Sequence, residues 1–174
     1  CIRDRFISEK ELSEIVSSLV KEVSMDLDPN EIPIFIGILN GSFLFAADFI
    51  RKYTQNCEVS FVKLSSYKGT TSTEVVNELI GINEDITGRT IVILEDIIDT
   101  GSTLHKIYDC FKNKQVKQLK IATLFFKPDV YKKELPIDYI GKSIEDKFIV
   151  GYGLDYNGLG RNLPAVYQLT TETT

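Results

Sequence analysis

The sequence lacks several residue types that carry common chemistries. Its 174 residues contain no tryptophan and a single histidine, His105. The three cysteines, Cys1, Cys57 and Cys110, show no CxxC spacing. This set leaves too few ligands for a zinc cluster, and a Ser-His-Asp triad would depend on His105 alone, which has the position of a solvated residue on a helix. The cysteines indicate reduced thiols in a cytoplasmic protein.

Long apolar runs and an excess of positive charge are also missing. No apolar run approaches the ~18 residues of a membrane span, so we expect no membrane partner. The 20 Lys and Arg residues against 25 Asp and Glu residues leave a net charge of −5, which argues against a nucleic-acid surface and, for anionic substrates, favours a metal counter-charge. Neither GxxxxGK[ST] nor GxGxxG occurs, which excludes a Walker loop and a dinucleotide turn.

The order of predicted elements favours an α/β fold. A capping box at Ser8 followed by apolar residues at helical spacing predicts a helix to about Met25. The other predicted helices are Phe43–Tyr53 and His105–Asn113, and the predicted strands are Ile32–Leu39, Val59–Leu64, Glu74–Leu79, Thr90–Leu94, Leu119–Phe126, Asp138–Ile140 and Lys147–Gly151. This alternation predicts one domain, residues 1–174, with a Rossmann-like parallel sheet flanked by helices. We expect a small hood over the carboxyl edge of the sheet, from about residues 1–30 and 150–174.

The most informative segment is Ile91–Thr103. It begins as a β-branched strand, and Glu95 and Asp96 stand where that strand should surface at its carboxyl end, the edge at which open α/β sheets bind ligands. Residues 99–103, Asp-Thr-Gly-Ser-Thr, then turn into a helix, and their backbone N–H groups and hydroxyls can surround a phosphate. Carboxylates beside a phosphate cradle suit a sugar phosphate, because an acidic pair can accept hydrogen bonds from two ribose hydroxyls.

Residues 95–101, Glu-Asp-Ile-Ile-Asp-Thr-Gly, resemble the phosphoribosyl-pyrophosphate (PRPP) signature of type I phosphoribosyltransferases, and are most similar to the hypoxanthine-guanine branch. Asp146–Asn157 is similar to the purine-binding segment of that branch, and the resemblance spans roughly Ile34–Arg161. It implies the type I phosphoribosyltransferase fold and transfer of phosphoribose from PRPP to N9 of hypoxanthine or guanine, in purine salvage. It also implies Mg²⁺ as cofactor and a homodimer or homotetramer.

The resemblance implies roles for individual residues. The phosphoribosyl site would comprise Glu95, Asp96, Asp99, Thr100, Gly101, Ser102 and Thr103, with Asp99 also the catalytic base. Pyrophosphate would meet Asn40, Gly41 and Arg161, with a cis peptide bond before Asn40, where many family members have Lys. The purine would meet Lys127, Phe148 and Ile149, because a donor-only ammonium suits a 6-oxo group. Ser66 and Tyr67 would lie on a lid, and the metal would lie near Glu95, Asp96 and Asp155.

Three alternatives stay open at the level of sequence. An enzyme for xanthine, or one of broad purine use, would differ only in contacts to position 2 of the base. An adenine, orotate or uracil enzyme would share the PRPP loop but would lack the combination of Lys127 with Phe148 and Ile149. A PRPP-sensing regulatory protein that binds nucleic acid would need a basic face, which a net charge of −5 does not favour.

Overall fold

The computed structural model describes residues 2–68, 75–82, 84–112 and 114–170, with side chains for 4–64, 81, 82, 84–112 and 114–169. The helices are α1 (Glu9–Asp26), α2 (Phe43–Lys52) and α3 (Ser102–Lys112). The strands are β1 (Ile2–Ile7), β2 (Ile34–Ile38), β3 (Glu58–Lys68), β4 (Val75–Ile80), β5 (Thr90–Ile98), β6 (Gln118–Phe126), β7 (Tyr139–Ser143), β8 (Ile149–Val150) and β9 (Val166–Thr170).

The main sheet has the order β4-β3-β2-β5-β6-β7. The strands β3, β2, β5, β6 and β7 run parallel to one another. The edge strand β4 pairs with β3 in the antiparallel sense. Because β2 and β5 are central, their carboxyl ends meet at the middle of one sheet edge, where the chain order reverses and ligands commonly bind. The predicted parallel sheet flanked by helices is confirmed.

Two apolar clusters cover the two faces of this sheet. On one face Val92 and Leu94 of β5 pack in a cluster with residues of α1, α2 and the strands β1, β8 and β9. On the other face Ile91 and Ile93 pack with Leu104, Ile107 and Phe111 of α3. Successive strand residues point to opposite faces, so the apolar run of β5 reflects burial on both sides.

The hood differs from the prediction in its composition. A second sheet of order β1-β9-β8 joins the two ends of the described chain. Helix α1, which the prediction assigned to the hood, instead packs against α2, β6 and β7. The cause is its stripe of buried residues, which include Leu12, Val16 and Leu19 and belong to the core cluster of the main sheet. Ser8 forms the predicted capping box with Glu11.

Two boundaries beside the carboxyl edge also differ. β5 continues through residues 95–98 instead of ending at Leu94, so Glu95 and Asp96 lie within the strand and are buried. α3 begins at Ser102, three residues before the predicted His105. The first difference has a clear reason: β6 pairs with β5 as far as Ile98, so the chain can turn only afterwards. Within the described residues, no helix is both long and apolar enough to cross a membrane.

Candidate active site

The segment after β5 makes a tight turn suited to an anion. β5 ends at Ile98 and α3 begins at Ser102, so only three residues separate them. Gly101 has a φ of +78°, and a Cβ atom there would lie 2.4 Å from the ring of Tyr131. Glycine is therefore needed both for the backbone conformation and for space. The first backbone N–H groups of α3 have no helical partners, so the turn can donate to an anion.

A small cavity of about 90 Å³ lies in this turn. It is lined by Glu95, Ile97, Ile98, Asp99, Thr100, Gly101, Ser102, Thr103 and Leu104. Six of the seven residues predicted for the phosphoribosyl site are therefore together, and only Asp96 is absent from this cavity. The hydroxyls of Thr100 and Ser102 form a hydrogen bond with each other at 3.2 Å, so they lie close enough together to meet the same oxyanion once that bond is exchanged.

A larger cavity of about 360 Å³ adjoins the small one. It is lined by Gly41, Asp96, Ile97, Asp99, Lys127, Lys147, Phe148, Ile149, Leu154, Asp155 and Arg161. The residues predicted for the purine thus share a cavity with Gly41 and Arg161, predicted for pyrophosphate. Asp99 lines both cavities, so it lies at their junction.

Glu95 and Asp96 point to opposite faces of the sheet. Glu95 faces the small cavity, whereas Asp96 faces the large one, as expected for neighbours on a strand. This differs from the predicted side-by-side pair, and a single sugar would have to span the edge of β5 to reach both. Burial and the nearby Asp96 raise the pKa of Glu95 well above its usual value. Glu95 Oε2 is buried without a hydrogen-bond partner among the described residues.

Asp96 lies directly against the turn that follows β2. Burial raises the pKa of Asp96 to about 6, partly offset by backbone N–H groups and by Arg161. The peptide bond between Leu39 and Asn40 is cis, as the resemblance implied. A Cβ atom on Gly41 would lie only 1.8 Å from Asp96 Oδ2, so glycine permits this contact. Asn40 itself is exposed and lines neither cavity, which differs from its predicted place at pyrophosphate.

The segment after β8 closes the other side of the large cavity. Gly153 has a φ of +99°, and a Cβ atom there would lie 2.0 Å from the carbonyl oxygen of Gly41. Arg161 donates to the Gly153 carbonyl at 2.7 Å and forms an ion pair with Asp155 at 2.7 Å. Arg161 is thereby fixed at the cavity wall, although small residues precede it in the sequence.

The three residues predicted for the metal do not form a ready-made cluster. Across the described ranges, no group of three His, Cys, Asp or Glu side chains is arranged to hold a metal ion. Glu95 faces away from the other two, and Asp155 is already engaged by Arg161 and by the backbone N–H of Gly158 at 2.7 Å. These residues fit an ion that takes most of its ligands from a bound substrate, which is the usual habit of Mg²⁺.

Lys127 follows β6 and is buried beside two carboxylates. Its Nζ lies 2.9 Å from Asp146 Oδ1 and 3.4 Å from Asp99 Oδ2. Phe148 is 54% exposed at the cavity, where a planar ligand can stack on it, and its ring meets that of Tyr156 edge-on at 5.7 Å between centroids. The cavity therefore combines a stacking surface with a donor-only group.

Ser66 and Tyr67 have their backbones in β3, and their side chains lie outside the described part of the structure. The rest of the predicted lid loop, residues 69–73, also lies outside the described residues. Sequence reasoning missed the roles of Asp146 and Tyr131 in the site. Asp146 could have been found as an acidic residue two positions before Phe148. No local pattern marks the contact of Tyr131 with Gly101 in the turn between β5 and α3.

The sheet edge, the turn before α3 and the adjoining cavity define an α/β protein built to bind a phosphorylated ligand beside a planar one. Residues 7–157 match the phosphoribosyl transferase domain. A hypoxanthine-guanine phosphoribosyltransferase of Streptococcus pneumoniae is 38% identical over 172 residues, covering 98% of this chain and 95% of the relative. One from Aquifex aeolicus is 35% identical over 164 residues, covering 94% and 92%.

Solved structures agree with these relatives. A crystal structure of a hypoxanthine-guanine phosphoribosyltransferase from Bacillus anthracis superposes with a TM-score of 0.87 at 38% identity, covering 98% of this chain and 100% of that one. The chain belongs to the phosphoribosyltransferase family and has its type I fold. The predicted family is confirmed.

Proposed function

We propose that this chain transfers the phosphoribosyl group of PRPP to N9 of a 6-oxopurine, hypoxanthine or guanine, and releases pyrophosphate. The products would be IMP or GMP, made by purine salvage in the cytoplasm. The proposal rests on one observation: the small cavity and the large cavity meet at Asp99. The small cavity has the size of a phosphate, and the large one offers the ring of Phe148 for stacking and the buried ammonium of Lys127. The names of the relatives support the choice of a 6-oxopurine.

Each substrate group has a matching part of the site. The 5′-phosphate would occupy the small cavity, where backbone N–H groups and the hydroxyls of Thr100, Ser102 and Thr103 can donate to it. The purine would stack on Phe148, with its 6-oxo group toward Lys127 and its edge along the backbone of Ile149. Pyrophosphate would lie between Gly41 and Arg161, whose planar guanidinium suits phosphate oxygens.

The bond from ribose to pyrophosphate would break at the junction of the two cavities. Because charge leaves with pyrophosphate, the main contribution of the protein would be electrostatic, with Arg161 stabilising the leaving group. Asp99 would accept the proton of the purine as a general base, since it lines both cavities. Glu95 and Asp96 would accept hydrogen bonds from the ribose hydroxyls from opposite sides.

Mg²⁺ would be held with the substrate rather than by a protein cage. Asp96 and Asp155 line the large cavity and would contact the ion, and the unpartnered Oε2 of Glu95 marks a further acceptor at the sugar. When bound, the ion would supply positive charge to the pyrophosphate oxygens.

The proposal is tested by supplying PRPP and Mg²⁺ with hypoxanthine, guanine, xanthine or adenine, and identifying the nucleotides by mass spectrometry. We expect IMP and GMP from the wild-type protein and little of either from the Asp99→Asn variant. The xanthine reaction decides between a hypoxanthine-guanine enzyme and one of broader purine use. Adenine nucleotide as the main product, or no nucleotide from any base, would refute the proposal.

We also propose that the protein is a homodimer or homotetramer. Val59 and Phe61 lie on the same face of β3 and are 41% and 36% exposed, so they form a small apolar surface that a second copy of the chain could cover. Analytical ultracentrifugation tests this, and a monomer at micromolar concentration would contradict it.

A further inference from the structure

The ammonium of Lys127 has two competing carboxylate partners. Lys127 is only 6% exposed, and its Nζ lies 2.9 Å from Asp146 Oδ1 but 3.4 Å from Asp99 Oδ2. The first distance is that of a charge-assisted hydrogen bond, and the second exceeds the usual range for one. Asp146 therefore holds the ammonium, and Asp99 is left only loosely engaged.

Asp146 reaches Lys127 from outside the cavity. It does not line the large cavity, and its side chain is 56% exposed. Its position is set by the backbone, because the N–H of Ile144 donates to the carbonyl of Phe126 at 2.8 Å. This hydrogen bond joins the start of the segment that carries Asp146 and Phe148 to the last residue of β6, which immediately precedes Lys127.

An ammonium has three N–H groups to distribute. One is taken by Asp146, and the loose contact with Asp99 accounts for a second. The third is free to meet a ligand in the cavity that Lys127 lines. If the Asp146 carboxylate were removed, this buried cation would keep Asp99 as its remaining ion-pair partner among the described residues. Attraction in a partly buried site would then draw the two together.

We infer that Asp146 is a positioning residue that holds the Lys127 ammonium away from Asp99 and leaves one of its N–H groups for position 6 of the purine. The inference rests on the proposed function and adds a residue to which that function assigns no role. It has two consequences. Asp99 stays free to accept the proton of the base, and the 6-oxo group meets a donor of fixed direction.

The Asp146→Asn variant removes the charge and keeps the size of the side chain. We expect kcat/KM for hypoxanthine at saturating PRPP to fall about 10- to 100-fold, the range for one hydrogen bond to a charged group. The KM for PRPP should stay within about twofold, because Asp146 contacts neither phosphate site. The preference for hypoxanthine over adenine should fall as well, and Asp146→Glu, which retains the charge, should restore part of both.

Glu145→Gln is the matched control. Glu145 is the neighbouring acid and does not line the cavity. Its partner Lys147, at 2.7 Å, lines the cavity but has no role in the proposed function, so the loss of Glu145 should leave these constants unchanged. Thermal melting of every variant distinguishes lost positioning from lost folding, and Asp146→Glu carries the test if Asp146→Asn does not fold.

A double-mutant cycle then tests whether Asp146 acts through Lys127. In a Lys127→Ala background, Asp146→Asn should cause no further loss of kcat/KM for hypoxanthine. Equal losses in both backgrounds, or an Asp146→Asn variant with wild-type kcat/KM and base preference, would overturn the inference. Either result would leave the proposed function intact, because that function is tested by the nucleotides that the wild-type protein forms.

Discussion

The close contact between Gly153 and Gly41 makes a strong prediction about stability. It joins the segment after β8 to the turn after β2, and these carry opposite walls of the large cavity. In a Gly153→Ala variant, the new Cβ atom would lie 2.0 Å from the carbonyl oxygen of Gly41 at a φ of +99°. Backbone atoms cannot swing aside as a flexible side chain can, so one of the two segments must move.

The size of the effect follows from two separate costs. A residue with a side chain in this backbone region costs about 1–3 kcal/mol, and an overpacked contact costs about 1–3 kcal/mol. The free energy of unfolding should therefore fall by about 2–6 kcal/mol in total. For a chain of this size each kcal/mol lowers Tm by about 2–4 °C, so we expect a Tm lower by about 4–24 °C.

Gly88→Ala separates the two costs. Gly88 has a φ of +70° and no atom within 4 Å of an added Cβ, so its replacement carries the conformational cost alone, about 1–2 kcal/mol. Urea unfolding of both variants gives the difference between their free energies of unfolding. Each variant loses the same glycine freedom in the unfolded chain, so this contribution cancels in the difference. Gly153→Ala should also lower transfer to hypoxanthine by more than about tenfold, because the Gly153 carbonyl positions Arg161. If the two variants unfold within about 0.5 kcal/mol of each other, a difference typical of measurement error, the tight contact is refuted.

Four further predictions concern the proposed chemistry and its electrostatics. Asp99→Asn should slow turnover about 10²–10⁴-fold, the usual contribution of a general base, while PRPP affinity by calorimetry stays nearly unchanged; near-normal turnover would remove Asp99 from that role. Activity should vanish in excess chelator and return with Mg²⁺, because carboxylates face an anionic substrate; full turnover after metal removal, confirmed by elemental analysis, would contradict the site. Lys127→Ala should bring the kcat/KM ratio of hypoxanthine to adenine from as much as about 10⁴ toward one, and an unchanged ratio would assign specificity to the backbone around Ile149. Because burial raises the pKa of Asp96 to about 6, the metal-free native state holds that proton more tightly than the unfolded chain, and stability should fall as pH rises from about 4 to 6. Asp96→Asn should flatten this part of the curve in urea unfolding, and an unaltered curve would show that Asp96 is not its source.

Much of the fold could be predicted because its signals are local. The capping box at Ser8 and the helical spacing after it fix α1 within a residue of its observed end. The unbroken apolar run of β5 reports burial on both faces, which only a central strand of a covered sheet experiences. Gly101, in the turn between β5 and α3, is required by its positive φ, so the turn can be predicted from the sequence.

The missed features depend on partners that are distant in the chain. β1 has the sequence Ile-Arg-Asp-Arg-Phe-Ile, which lacks the alternation typical of a half-buried strand, and it becomes a strand because β9, more than 150 residues away, pairs with it. The extension of β5 to Ile98 depends on its pairing with β6. The opposite directions of Glu95 and Asp96 follow from that extension, since only a strand alternates its side chains. The bond from Asp146 to Lys127 likewise needs the register of two separate segments.

The balance of charge in the site explains why a divalent cation is expected with the substrate. The cations that line the large cavity are Lys127, Arg161 and Lys147. They are already paired with carboxylates at 2.9, 2.7 and 2.7 Å, so none of them can neutralise an incoming pyrophosphate fully. Asp96 is buried at the wall of the same cavity, and Asp99 also lines it. Phosphates would therefore meet more negative than free positive charge. Asp96 would help to hold a divalent cation, whose positive charge would reverse that balance and would also offset the burial that raises the pKa of this carboxyl.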